Sequence, residues 1–258
     1  MEKSGSEKPE RAKARRVSRK LTLVIVTVVV LVVVGLSFEK LTRIVPLLPE
    51  IVRLEYEILR DPQNSDHEWL ARLYDSAGMY GMAQYHYSKA DSIQNASYDV
   101  KLHLAQTLFR DCKYSEAIEK YEEAIPLAQN DFFKMMCWGN ISACYVQLKD
   151  YDKAIEAANE VQKFSPDGTD GLGQLGFLYS KKGEYDKAIP YFTELIEKKG
   201  EDDAVCYMLA EAYDKQAEYD KALEFYEKSL KLYSKRGMPP KKDIEKRIKE
   251  LKALKSTE

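Results

Sequence analysis

After a polar start, the chain runs from Leu21 to Phe38 as LTLVIVTVVVLVVVGLSF without one charged residue. A helix of that run, at about 1.5 Å per residue, is about 27 Å long, close to the thickness of a bilayer's hydrocarbon core. The pattern therefore predicts a single transmembrane helix. Polarity then returns. The segment LPEIVRLEYEILRDP, residues 48–62, spaces its apolar residues at helical intervals, opens at Pro49 and stops at Asp61-Pro62, which predicts an amphipathic helix. From residue 64 on, short apolar stripes of helical period alternate with polar turns, and the wording recurs. GEYDKAIPYF at 183–192 returns as AEYDKALEFY at 217–226, KDYDKAIEAA at 149–158, CKYSEAIEKY at 112–121 and, more faintly, GMYGMAQYHY at 78–87.

Aligned on their alanine, the five phrases place Ala83, Ala117, Ala154, Ala188 and Ala222 at spacings of 34, 37, 34 and 34. Other columns follow. Ala71, Ala105, Ser142, Gly176 and Ala210 stand twelve residues earlier, and Tyr74, Leu108, Tyr145, Tyr179 and Tyr213 nine earlier. Tyr80, Tyr114, Tyr151, Tyr185 and Tyr219 stand three earlier; Tyr87, Tyr121, Ala158, Phe192 and Tyr226 stand four later. A fixed period of this size marks stacked helical units, none of which buries its apolar face alone. The order of small residue, large aromatic, turn, Tyr, small residue and aromatic resembles the tetratricopeptide repeat. The resemblance covers residues 64–236 as five units: 64–97, 98–131, 135–168, 169–202 and 203–236. It implies an all-α fold, a right-handed superhelical solenoid of helix-turn-helix repeats, here preceded by the transmembrane helix.

Within each unit two antiparallel helices approach through the small residues while the bulky ones fill the space beside them. Gly78, Gly183 and Lys149-Asp150 supply turns. Asp152, Asp186 and Asp220 fall in the first turn of second helices, where the helix dipole favours a carboxylate. Pro190 is expected early in its helix. Repeat 3 opens after three extra residues, and Pro126, late in a helix, is expected to bend or end it. Residues 39–63 read as a linker and the leading amphipathic helix. After Gly237 and Pro239-Pro240, KKDIEKRIKELKALK in 237–258 places Ile244, Ile248 and Leu251 at helical spacing, as a capping helix does.

Charge adds orientation. Residues 1–38 carry eight Lys/Arg against three Glu, leaving 32 basic and 39 acidic residues of the whole chain's 40 and 42. Basic enrichment before the span assigns residues 1–20 to the cytosol, makes 21–38 an uncleaved signal anchor and places the repeats on the non-cytosolic side, the periplasm in a bacterium. The acidic body argues against a nucleic-acid partner.

The residues propose no catalyst and no small-molecule substrate. There is no phosphate-cradling glycine loop and no nucleophile elbow. His67, His86 and His103 lack the spacing of a helical metal pair, so no metal or other cofactor is expected. Cys112, Cys137, Cys144 and Cys206 show no CxxC spacing and read as small packing residues, with a redox or interchain thiol as the alternative. Of eighteen tyrosines, twelve belong to the repeat columns, so their abundance reflects packing.

Free of these columns are first-helix positions that the resemblance assigns to the concave wall: Glu68, Arg72 and Asp75; Leu102, Gln106 and Phe109; Gly139, Ala143 and Val146; Gly173, Phe177 and Lys181; Tyr207, Glu211 and Asp214. From these we expect a partner-binding groove at Arg72, Leu102, Gln106, Phe109, Val146, Phe177, Tyr207 and Glu211, apolar and hollowed by glycine in its middle and charged at its ends, for a protein or peptide ligand. The Lys, Asn and Arg set with which some members of the family grip chaperone tails is missing. The expected role is a non-catalytic scaffold or adaptor in envelope protein assembly or secretion, within a membrane complex. The alternatives are a non-catalytic regulatory subunit of a membrane enzyme, or a cytosol-facing receptor if the topology is reversed.

Overall fold

A computed structural model describes residues 42–61, 66–93, 97–165, 168–234 and 239–255. The chain divides into two compact units, Met1–Leu127 and Ala128–Glu258. Every regular element among the described residues is helical. In the first unit these are α1 (Leu48–Arg60), α2 (His67–Ser76), α3 (Tyr80–Ile93), α4 (Tyr98–Arg110) and α5 (Tyr114–Ala124). In the second they are α6 (Asp131–Gln147), α7 (Tyr151–Phe164), α8 (Asp170–Lys182), α9 (Tyr185–Lys199), α10 (Asp203–Lys215), α11 (Tyr219–Leu232) and α12 (Lys241–Lys255). Within each unit every helix packs on the next, and in the second unit α8 also touches α10.

The columns become the packing surfaces. All five phrase alanines are 0% exposed, and Ala71, Ala105, Ser142, Gly176 and Ala210 face them from the first helices, also buried. Ser142 Oγ donates to the Ala154 carbonyl at 2.9 Å, tying the two columns together in one hairpin. Tyr87, Tyr121, Phe192 and Tyr226 fill the space one turn on. The five tyrosines of the third column are the first residues of α3, α5, α7, α9 and α11.

The turns share one geometry. Gly78, Cys112, Lys149, Gly183 and Ala217 all have left-handed backbones, with φ between 60° and 82°. Each donates its N–H three residues back, and the following residue donates five back, as Lys149 to Val146 and Asp150 to Tyr145. This pair of bonds satisfies carbonyls that the helix end would otherwise orphan. Glycine takes that conformation without the steric cost that a Cβ incurs. Lys149→Gly, at an exposed position, is therefore expected to stabilise the 128–258 unit by about 0.5–1 kcal/mol. A rise in the urea midpoint at unchanged slope checks it.

Departures from the repeat have local causes. Pro126 lies in a 3-10 turn, Ile125–Leu127, that ends α5. Helix α6 then opens on Asn130, whose side chain accepts from the Phe133 N–H at 3.2 Å. Pro190 is the sixth residue of α9 rather than a first-turn residue, so the Asp186 carbonyl loses its helical donor. At the ends, α1 buries Ile51, Leu54 and Ile58, and α12 buries Ile244, Ile248 and Leu251.

One expectation is corrected. Among the described residues no helix is long and apolar enough to cross a membrane. The span placed on residues 21–38, with the basic tail before it, lies outside the described residues. The single-pass localisation, with the repeats on the non-cytosolic side, accordingly loses its support, and with it the membrane complex.

Candidate functional site

In the first unit the expected wall residues stand on α2 and α4. Arg72 is exposed and bonds Glu68 one turn back at 2.6 Å. Asp75 is taken up by the fold, receiving the Arg110 guanidinium and the Thr107 hydroxyl of α4. Leu102 corrects the sequence reading: it is 6% exposed and serves the core. Gln106 Oε1 lies 3.3 Å from His103 Nδ1, and Phe109 packs edge-on against Tyr114 with centroids 5.4 Å apart. The residue that the sequence reading passed over is Trp69. It is 50% exposed beside Glu68, and its indole N–H donates to Glu50 Oε1 of α1 at 3.3 Å. Its signal was rarity, since the chain has two tryptophans.

In the second unit Val146 packs on the core of Ala154, Ile155, Ala158, Leu175 and Leu178. Phe177 is 36% exposed, with the Lys181 ammonium 5.2 Å from its ring centre. The glycines there do not hollow the wall. A Cβ on Gly139 or Gly173 would find its nearest neighbour at 3.5 Å, an ordinary contact, whereas one on Gly176 would meet the Phe192 ring at 2.7 Å.

Tyr207 and Glu211 do come together, around a cavity of about 520 Å³. Tyr207 meets Tyr226 edge-on, with centroids 5.7 Å apart. The opposite wall is α12, through Asp243, Ile244 and Arg247. Arg247 donates two hydrogen bonds to Asp214, at 2.7 and 2.6 Å, and a third to Glu250. Tyr226 donates to Asp214 at 3.3 Å. Burial, and then the carboxylates of Glu211, Asp214 and Asp243, raise the Tyr207 hydroxyl above its ordinary pKa, so it stays protonated and able to donate. The bonds to Asp214 and Glu250 hold Arg247 charged at every accessible pH. The capping helix is thus also a wall of the site. Removing the guanidinium strands Asp214, which is 11% exposed. Arg247→Ala is expected to cost about 2 kcal/mol and to loosen α12, read as faster amide exchange over 241–255.

The buried Cys144 and Cys206 thiols are pushed up to about 12 and about 11 by burial, which keeps them protonated near neutral pH. Cys137 is buried as well, and none of the four cysteines is in a disulfide. Cys112 corrects the packing assignment: it is exposed, in a turn. Among the described residues no group of three or more His, Cys, Asp or Glu is placed to hold a metal ion.

Two models of the tetratricopeptide repeat match the chain, one over residues 137–167 and one over 179–235. Those residues are tetratricopeptide repeats. Among curated proteins, the photosystem I assembly protein Ycf3 of Prochlorococcus marinus is 31% identical over 70 residues, 27% of this chain and 40% of its own length. The mitochondrial import receptor subunit TOM70 of Saccharomyces cerevisiae is 36% identical over 59 residues, 23% of this chain and 9% of its own. The chain thus spans less than half the length of either relative. Among solved structures, the C-terminal part of a TPR repeat-containing protein from Cytophaga hutchinsonii gives a TM-score of 0.62 at 19% identity, covering 70% of this chain and 72% of that one. MamA from Desulfovibrio magneticus RS-1 gives 0.58 at 14%, covering 67% and 96%. YrrB, described as a TPR protein with an unusual peptide-binding site, gives 0.55 at 17%, covering 70% and 92%. At such identities these structures share the tetratricopeptide fold and establish nothing further.

Proposed function

We propose that this protein is a non-catalytic interaction scaffold that takes peptide or helical segments of partner proteins on its first-helix wall. Tetratricopeptide-repeat proteins are protein-interaction scaffolds, and residues 137–167 and 179–235 are such repeats. The observation that carries the finer reading is the cavity of about 520 Å³ beside Tyr207 and Glu211, with a protonated phenol at one wall and α12 at the other. Its lining, two tyrosines among the charged Glu211, Asp214, Lys215, Asp243 and Arg247, suits an inserted polar side chain of a partner. In the same unit the half-exposed Phe177 ring offers an apolar anchor that the hairpin core does not consume. The peptide-binding site of YrrB and the assembly role of Ycf3 agree in kind with this reading.

Panning a random peptide library against the full chain tests it. Sequences selected by the unmodified protein are expected to lose binding to both Phe177→Ala and Tyr207→Ala. Peptides that bind both variants as well as they bind the parent would place the recognition surface elsewhere.

A further inference from the structure

The first unit contains a buried group of titratable side chains that partner binding does not use. His67 of α2 and His86 of α3 are 4% and 3% exposed, and their Nδ1 atoms lie 2.9 Å apart. The other ring nitrogen of His86, Nε2, is 3.4 Å from Glu55 Oε1 of α1. The Tyr74 hydroxyl of α2 donates to the same Glu55 oxygen at 2.9 Å, and its ring stacks on His86 with centroids 5.6 Å apart. Tyr85 closes the other side with its ring edge-on to His86 at 5.0 Å.

We propose that His67, His86 and Glu55 form an acid-operated latch, which holds α1 against α2 and α3 at neutral pH and releases it in mild acid. Two facing Nδ1 atoms at 2.9 Å share one proton, because one must donate and the other accept. A neutral pair meets both of these contacts: His67 Nδ1–H donates to His86 Nδ1, and His86 Nε2–H donates to Glu55. A first extra proton charges one of the two rings, offset by the Glu55 carboxylate. A second can go only to His86 Nδ1, where it faces the N–H of His67. That breaks the ring-to-ring bond and turns away the imidazole that bonds Glu55.

Glu55 itself does not drive the change. Burial pushes its carboxyl up, but the bonds from His86 and Tyr74 and the nearby imidazoles outweigh this and hold it below the usual carboxylate range. A depressed carboxylate contributes stability that is lost only as the pH falls through its lowered value, so Glu55 stays ionised down to pH 5. Once α1 is released, both rings bind protons with an ordinary pKa of about 6.5, one proton more than the closed pair admits, so acid favours opening. Helix α1 is the element to let go. Among the described residues it is the first full helix of its unit, and it is held by Ile51, Leu54 and Ile58, by the bonds to Glu55, and at the rim by Trp69.

Amide exchange of the full chain at pH 7.5 and 5.0, corrected for intrinsic rates, tests the latch. Peptides covering residues 48–60 are expected to lose protection by up to about tenfold per pH unit below about pH 6, the slope of one linked proton. Those covering α10 and α11, which carry no histidine, should not change. His67→Gln can exchange a hydrogen bond with His86 but cannot titrate, so it should keep the protection seen at pH 7.5 and abolish the acid loss. An acid loss that persists in H67Q, or no loss in the parent, would overturn the proposal. If H67Q is already unprotected at pH 7.5, the ring ¹⁵N titration of the parent decides. One of the two rings must stay neutral well below the pH at which the other charges, and two independent titrations near about 6.5 would overturn the latch.

Discussion

Phe192→Ala is expected to remove about 4 kcal/mol of stability from the 128–258 unit, a large part of the roughly 5–15 kcal/mol typical of a domain. Phe192 is 0% exposed, and its ring lies over Gly176, bridging the two helices of one hairpin. Truncation loses the buried apolar surface and leaves a cavity that the surrounding helices close only in part. The converse change makes the same point from the other side. Gly176→Ala gains about 1 kcal/mol of helix propensity but sets a methyl at 2.7 Å from a ring with no room to retreat, so the net effect is a loss of about 1 kcal/mol. Gly173→Ala, one turn earlier on α8, meets nothing closer than 3.5 Å and is expected to stabilise by about 0.5–1 kcal/mol. Urea denaturation of the three variants, followed by circular dichroism, should give this order of signs. A Gly176→Ala protein more stable than its parent would contradict the close approach that defines the hairpin.

The second large effect concerns binding. Phe177→Ala and Tyr207→Ala are each expected to weaken a bound partner segment by tenfold or more, the scale of an aromatic anchor truncated at an interface. Their stability costs should differ. Phe177 is 36% exposed and stands outside the buried cluster of Ala154, Ile155, Ala158, Leu175 and Leu178, so its removal should change the urea midpoint little. Tyr207 packs on Tyr226 and should show a modest loss of both stability and affinity. The separation matters, because a wall residue that loses affinity at full stability is acting on the partner and not on the fold.

Much of the helical framework could be read from periodicity, because a repeat multiplies weak evidence. One turn glycine, Gly183, says little, but five phrases in register make the hairpin legible. What periodicity hides are the places where one register position takes unlike residues. Cys112, Lys149 and Ala217 adopt the same left-handed backbone as Gly78 and Gly183, yet nothing in their side chains announces it. The wall is the least legible part. Leu102 and Phe177 look equally apolar in sequence, but the first is absorbed by the core and the second is left open, a difference set by neighbouring helices. The His67–His86 contact joins residues 19 apart on different helices, and no short-range spacing rule detects it. The apolar run 21–38, the strongest single signal in the chain, lies outside the described residues.

The most direct test of the central claim is site-specific photo-crosslinking in the native cell, with a photoreactive phenylalanine placed singly at Phe177, Tyr207, Phe132 and Tyr85. The last two are exposed aromatics, at 61% and 55%, that are not wall positions by register. The account predicts discrete adducts with the same partner from Phe177 and Tyr207, and none of that partner from Phe132 or Tyr85. The partner crosslinking from Phe132 or Tyr85 while Phe177 and Tyr207 stay silent would contradict it.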